Sequence, residues 1–93
     1  MACKCAERMR KYVLPYFGFT FKEDEKMWVN SSFPDEDLRI IKDDNVQIYY
    51  SRLTAKMIFE FGKSKFMEWA KSTDYNITEQ SVDQILKGVD KKE

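Results

Sequence analysis

Aromatic side chains set the tightest limit on how this chain can fold. Seven phenylalanines, five tyrosines and two tryptophans lie within 93 residues, and the sequence contains no histidine. So many large apolar side chains require a packed core, which predicts a folded protein with one domain over residues 1–93. The absence of histidine removes the commonest general base and metal ligand.

The first predicted element is a helix over residues 3–14. Apolar side chains from Cys5 to Tyr16 recur at intervals that place them on one helical face. Pro15 should end this helix near Val13, because proline lacks a backbone N–H and restricts the residue before it.

Four strands are predicted after this helix. They cover residues 17–22, 27–29, 38–42 and 46–50, and they are rich in aromatic and β-branched side chains. Charged or turn-forming residues separate the first strand from the second and the third from the fourth, as in two successive hairpins. The pattern therefore predicts a four-stranded antiparallel sheet.

Two C-terminal helices should complete the fold. Residues 55–70 carry a helical apolar stripe that includes Gly62, with Thr54 as the N-cap, although residues 57–62 could instead form a fifth strand. Residues 78–88 show a second stripe, with Thr78 as the cap and Gly88 as the terminating residue. The element order is then α-β-β-β-β-α-α, an α+β fold with the helices packed on one face of the sheet.

Charge is balanced over the whole chain but uneven along it. Sixteen basic and sixteen acidic residues give a formal net charge of zero. Residues 1–22 have an excess of basic side chains, whereas residues 23–47 are strongly acidic. A neutral chain gives little support to electrostatic binding of duplex DNA or of a membrane surface.

The cysteine content is limited to Cys3 and Cys5, which one residue separates. On a helix the two point in different directions, so we expect no bridge between them and a reduced, cytoplasmic protein. Two thiolates are too few for a structural zinc site, which makes the pair a weak metal candidate. An alternative is acylation of both cysteines beside the basic N-terminal segment, which would make the protein membrane-peripheral.

No catalytic or cofactor motif keeps its required spacing. Gly62-Lys63-Ser64 matches the end of a phosphate-binding loop, but Met57 stands where that loop needs another glycine. The acidic residues between Asp35 and Asp44 lack the spacing of a calcium loop. The sequence therefore predicts neither an enzyme nor a cofactor.

Apolar residues out of phase with the predicted core mark the candidate binding surface. Alternation places Trp28, Ile41 and Tyr49 on the open face of the sheet, and exposed aromatic patches are enriched at protein interfaces. This prediction requires Trp28 and Tyr49 to be exposed. The rim of the surface would be formed by acidic residues: Asp35, Glu36, Asp37, Asp43 and Asp44.

These features favour a small intracellular protein-binding module with an accessory or inhibitory role. The open sheet face would contact another protein or a second copy of the chain. Small proteins without motifs are typical of such factors, including products of phages and mobile elements. A single-stranded nucleic-acid platform is the alternative, since bases stack on exposed rings, but the loops beside these rings are acidic.

Overall fold

The computed structural model describes residues 4–91 of the chain, with side chains described as far as residue 88. Contacts within the chain divide it into two compact units, Met1–Tyr50 and Ser51–Glu93. The class is α+β, as predicted, with helices and an antiparallel sheet. The single domain over residues 1–93 stays a prediction.

The N-terminal helical stretch changes its winding just before Pro15. Its consecutive parts are α1 (Cys5–Arg8), a π-helical segment (Met9–Val13) and α2 (Leu14–Tyr16). The backbone N–H of Leu14 donates to the carbonyl of Met9, one residue further back than in an α-helix. A proline ring presses on the carbonyl four residues earlier in a regular helix, and the wider turn relieves this clash. The helix therefore passes through Pro15, contrary to the prediction that it ends near Val13.

The sheet contains three antiparallel strands within the described residues, in the order β1-β2-β3. They are β1 (Thr20–Lys22), β2 (Met27–Val29) and β3 (Ile40–Lys42). The pairing of the first predicted hairpin is confirmed, because β1 pairs with β2, but β1 begins at Thr20 and not at residue 17. The third strand is shorter than predicted, since a 3₁₀ turn at Glu36–Leu38 occupies its first part and buries Leu38.

The predicted fourth strand is wrong. Among residues 4–91, the segment predicted as strand 46–50 lies in a 3₁₀ helix (Asp43–Tyr49) that continues directly into α3 (Tyr50–Phe61). A buried apolar stripe at helical intervals runs through both segments, and its residues are Val46, Tyr50, Leu53, Met57 and Ile58. Burial of this stripe outweighs the β-propensity of the individual residues.

The core of the first unit draws on the helical stretch, the sheet and the loops. Its buried apolar residues are Met9, Val13, Leu14, Phe19, Phe33, Leu38, Ile41, Val46 and Tyr50. The Phe33 ring lies 5.6 Å from the Phe17 ring and 5.3 Å from the Phe19 ring, measured between centroids. This aromatic cluster ties the loop after β2 to the end of the helical stretch.

Within its described residues, the second unit consists of helices and the loop at residues 72–78. Besides the greater part of α3 it contains α4 (Lys63–Lys71) and α5 (Glu79–Lys91). Residues 57–62 are therefore helical or at a helix junction, and the alternative of a fifth strand is excluded. Gly62 separates α3 from α4 with φ of +88° and ψ of 136°, a conformation that L side chains rarely adopt. Thr54 is a buried residue inside α3 and does not cap it.

Cap and charge contacts hold the ends of these helices. The backbone N–H of Ser81 donates to Thr78 Oγ1 at 3.2 Å, so the predicted cap of α5 is confirmed. Gly88 lies inside α5 rather than ending it. At the start of α4, Lys63 Nζ lies 3.2 Å from the Glu79 carboxylate and 2.8 Å from the Asp83 carboxylate. Hydrogen bonds to Asp83 and then to Glu79 raise the pKa of Lys63.

Candidate functional site

The strand register assigns each sheet residue to one of two faces. Phe21 pairs with Trp28, and Trp28 pairs with Ile41. Directly paired residues of antiparallel strands project on the same side, so these three side chains share one face. We call it the inner face, because Ile41 is only 1% exposed.

The opposite face, which we call the open face, carries two rows of side chains across the three strands. The first row is Thr20, Val29 and Ile40, and the second is Lys22, Met27 and Lys42. Ile40 is 58% exposed, and Val29 and Met27 are half-buried on the central strand. The open face thus presents three apolar side chains, of which Ile40 is the most exposed.

Burial of Ile41 contradicts the predicted binding surface. Alternation predicts Ile41 on the uncovered face beside Trp28, but the structure buries Ile41 and leaves its neighbour Ile40 exposed. Ile41 and Trp28 do share a face, so the prediction assigned the wrong face of the sheet to the core. Trp28 is half-buried on the inner face, where its ring lies 5.0 Å from the Phe21 ring.

Trp28 has a structural polar partner in addition to this ring contact. Its indole N–H donates to Asp43 Oδ1 at 2.9 Å. Arg10 Nε donates to the same oxygen at 2.8 Å, and Arg10 Nη2 donates to Oδ2 at 3.3 Å and to the backbone carbonyl of Asp43 at 3.0 Å. These hydrogen bonds, first from Arg10 and then from Trp28, lower the pKa of Asp43. We call Arg10, Trp28 and Asp43 the carboxylate cluster.

The remaining predicted site residues do not surround a common aromatic patch. Tyr49 is half-buried in the 3₁₀ helix and is not a sheet residue. Asp43 belongs to the carboxylate cluster rather than to a free rim. The other acidic residues of the prediction lie in the loop before β3 or in the 3₁₀ helix after it: Asp35 is half-buried, and Glu36, Asp37 and Asp44 are exposed. Neither Trp28 nor Tyr49 reaches the exposure that the prediction requires.

A groove of about 650 Å³ runs along one end of the open face. Its walls include side chains of all three strands and of the loops that flank them: Thr20, Lys22, Val29, Asn30, Arg39 and Ile40. The lining is mainly apolar at the centre, where Val29 and Ile40 pair across β2 and β3.

Two loop side chains give this groove a defined shape. Asn30 Nδ2 donates to the carbonyl of Phe17 at 2.7 Å, and Asn30 Oδ1 accepts from the backbone N–H of Ser32 at 2.9 Å. Arg39 Nε donates to the carbonyl of Phe33 at 2.6 Å, and its Nη1 lies 3.9 Å from the Glu36 carboxylate. Because both walls are bonded to backbone, the groove is preorganised in the absence of any partner.

The charges on the open face are all positive. Lys22 and Lys42 occupy the outer strands on either side of Met27, and no side chain of the two rows is acidic. Among the described residues, neither lysine forms an ion pair. The face therefore combines an aliphatic centre with two unpaired ammonium groups.

The sequence contained a signal for this surface that alternation alone does not reveal. The turn at residues 23–26 places Lys22 opposite Met27 and hence Phe21 opposite Trp28. Lys22 and Lys42 also lie on the same face as Met27, and charged side chains are typical of the solvent-exposed face of a strand. The length of the turn and the positions of the two lysines together would have identified the open face, whereas the aromatic residues led to the prediction of a binding surface on the inner face.

The cysteine prediction needs correction. Cys5 is disulfide-bonded, so the expectation of two unbridged, reduced thiols is wrong for this residue, and Cys3 lies outside the described residues. A disulfide at Cys5 leaves no thiolate there for a metal or an acyl group, and it removes the cysteine argument for a reducing compartment.

Two further features are absent from the part of the chain that the structure describes. Residues 4–88 contain no group of three or more cysteine or carboxylate side chains placed to hold a metal ion. None of the helices within residues 4–91 has the length and apolar character needed to cross a membrane.

No protein family model, curated protein or solved structure matches the chain, so its function must be inferred from its own residues.

Proposed function

We propose that this chain is a small protein-binding module that uses the open face of its sheet. The observation that carries the proposal is an apolar centre, exposed at Ile40 and half-buried at Val29 and Met27, next to a preorganised groove. Ile40, Val29 and Met27 form that centre, and the groove of about 650 Å³ adjoins it. Aliphatic side chains exposed together on a sheet favour burial against another protein.

The same surface gives less support to single-stranded nucleic acid. Bases bind sheet platforms by stacking on aromatic rings. The two aromatic side chains of the strands, Phe21 and Trp28, lie on the inner face, where Phe21 is 39% exposed and Trp28 is half-buried, and the two rows of the open face contain no ring. A protein partner is therefore the better match to the side chains that are present.

The test compares two substitutions of the same residue type. Ile40→Asp places a charge at the centre of the open face, whereas Ile48→Asp places one on the 3₁₀ helix, where Ile48 is 65% exposed. Both variants should fold like the wild type by circular dichroism, because both isoleucines are largely in solvent. Affinity capture from lysate of the native source, with quantitative proteomics, measures the outcome.

We expect a partner that the wild type and Ile48→Asp recover in equal amounts and that Ile40→Asp loses. A partner recovered equally by all three proteins would show that the open face is not the binding surface. Loss with both variants would also count against the proposal, because it would reveal a general effect of added charge.

A further inference from the structure

We propose that the partner segment bound by the open face is acidic and aliphatic: an extended stretch of protein with carboxylates beside a leucine-like side chain. This inference rests on the proposed function, since it names the chemistry of the partner for the same surface. It follows from three features of the open face, namely its charge, the spacing of its lysines and its aliphatic centre.

Charge is the first of these features. The two rows of the open face contain Lys22 and Lys42 and no carboxylate, although the chain as a whole is neutral. Neither lysine has an ion-pair partner among the described residues. Two ammonium groups at the edge of an aliphatic surface attract a carboxylate-bearing partner and repel a basic one.

Spacing is the second feature. Lys22 and Lys42 stand on the two outer strands, directly across Met27, so their backbones are roughly 10 Å apart at the usual strand separation. Carboxylates two residues apart lie on the same side of an extended peptide, separated by roughly 7 Å, and the long lysine side chains can span the remaining difference. Such a peptide can place one carboxylate on each lysine while it crosses the central strand.

The aliphatic centre is the third feature. Val29 and Ile40 lie one row away from the two lysines, at the groove. A side chain of the peptide that follows its carboxylates reaches this row and can be buried there. The contact would combine charge pairing at the rim with apolar burial at the centre, which is the usual anatomy of a protein interface.

The far side of Lys42 limits the orientation of the bound segment. Lys42 also borders a smaller hollow of about 390 Å³ whose other lining residues are Glu25, Lys26, Asp43 and Asp44. The three carboxylates outnumber Lys26, so the hollow is less favourable for an acidic segment than the open face, which has none. The segment is therefore directed over the open face towards Ile40.

The test uses a fluorescein-labelled synthetic peptide in which two glutamates and then a leucine alternate with serines, so that these three side chains lie on the same side of the extended peptide. We call it the glutamate–leucine peptide; it is titrated with the full chain and followed by fluorescence anisotropy. In the control, the glutamate–serine peptide, serine replaces the leucine and the charge is the same. A short single-stranded oligouridylate tests the nucleic-acid alternative. Amide chemical shifts of the ¹⁵N-labelled chain locate the bound peptide.

The variants are charge-matched. Lys22→Glu/Lys42→Glu reverses both cations of the open face, and Lys65→Glu/Lys87→Glu reverses two exposed lysines of α4 and α5. We expect the glutamate–leucine peptide to bind the wild type more tightly than the glutamate–serine peptide, with an affinity that falls as salt rises. The first double variant should weaken binding by about tenfold, and the second by less than about twofold. Shifts should be confined to the open face and its groove.

Three results would overturn the inference: no binding of the glutamate–leucine peptide to the wild type, equal weakening by both double variants, or tighter binding of the oligouridylate than of either peptide. The capture experiment with Ile40→Asp is independent of these results. If Ile40→Asp loses its native partner but the peptide does not bind, the surface is correct and its partner is not acidic. If Ile40→Asp retains the partner, the proposed function itself fails.

Discussion

At the scale of single residues, the first unit depends on the Asp43 carboxylate. It accepts hydrogen bonds from Arg10, in the π-helical segment, and from Trp28, on the central strand. Asp43 itself is the first residue of the 3₁₀ helix, and its backbone N–H donates to the carbonyl of Lys26 at 2.9 Å. One residue thus joins a helix and a strand through its side chain, and a turn through its backbone N–H.

This cluster predicts a pH-dependent stability. The folded pKa of Asp43 lies below its unfolded value, so its contribution is fully present above the unfolded pKa and is lost as the pH falls through the folded pKa. Arg10 and Asp43 are 42% and 29% exposed, and solvent therefore screens the pair. We expect Asp43→Asn to lower the unfolding free energy by about 1 kcal/mol at neutral pH.

Urea unfolding at neutral pH and below about pH 4 measures this effect, and the difference between wild type and variant should shrink in acid. The control is Asp44→Asn, an exposed neighbour, which should change stability by less than about 0.5 kcal/mol. A difference that persists unchanged in acid would contradict the assignment.

The second unit has a buried polar pair at the residue scale. Thr54 Oγ1 and Tyr75 Oη lie 3.3 Å apart, and both residues are fully buried. Tyr75→Phe leaves the Thr54 hydroxyl without this partner and should cost about 1–2 kcal/mol in unfolding free energy. The double variant Thr54→Val/Tyr75→Phe should cost less than the sum of its single changes, by about 1 kcal/mol in a double-mutant cycle. Additive losses would show that the pair is not coupled.

At the scale of elements, the sheet is defined by which face it buries. Ile40 and Ile41 are adjacent, chemically identical and on opposite faces, with exposed fractions of 58% and 1%. Ile41→Ala should lower the unfolding free energy by about 2–5 kcal/mol, because it leaves a cavity in the core. Ile40→Ala should cost less than about 1 kcal/mol. Chemical denaturation measures both, and a larger loss for Ile40→Ala would reverse the assignment of the faces.

The junction between α3 and α4 depends on the conformation of one glycine. At Gly62 an added methyl group would meet no atom within 4 Å, but φ of +88° is unfavourable for any L side chain. Gly62→Ala should therefore destabilise the protein by about 1–3 kcal/mol through backbone strain alone.

Gly88→Ala is the matched control for that junction. Gly88 lies inside α5 and also has open space around it, so alanine should stabilise the helix there by about 0.5–1 kcal/mol. Thermal unfolding of the two variants should show shifts of opposite sign. Stabilisation by both substitutions would mean that α3 and α4 can join as one continuous helix.

At the scale of the whole molecule, the central question is cooperativity. The two compact units span residues 1–50 and 51–93, and each is close to the lower size at which a domain without staples is stable alone. The helix α3 begins with the last residue of the first unit, and the rest of it, as far as Phe61, belongs to the second. We therefore expect the chain to unfold in a single transition.

The two tryptophans test this expectation, because Trp28 belongs to the first unit and Trp69 to the second. In Trp69→Phe the fluorescence reports on the first unit, and in Trp28→Phe it reports on the second. For each variant, the urea midpoint from fluorescence should equal the midpoint from circular dichroism. Separate midpoints would show two independently folding units.

Sequence patterns were sufficient for elements whose signals are local. The N-terminal helix, the first hairpin and the Thr78 cap of α5 depend on spacing, turn residues and one side-chain hydrogen bond within a few positions. The α+β class followed from these elements. The candidate site did not follow from these elements, because the same aromatic residues could be assigned to either face of the sheet.

The segment after β3 shows why local preference can fail. Val46 to Tyr50 has the composition of a strand, yet Val46 and Tyr50 begin a buried helical stripe that continues to Ile58. Only the spacing of apolar residues over the whole range 46–58 distinguishes a helix from a strand in this segment. Without this segment in the sheet, Tyr49 has no place on a sheet face.

The amount of apolar surface to be buried, the local turns and most of the helices follow from the amino-acid sequence, because these depend on composition or on residues close together in the chain. Which face of the sheet is covered depends on contacts between residues that are distant in the chain. Both faces carry aliphatic or aromatic side chains, and a strand of alternating apolar residues is compatible with either orientation. Long-range pairing of Trp28 with Ile41 and with Asp43 selects one of them, and Ile40 is left exposed as the centre of the open face.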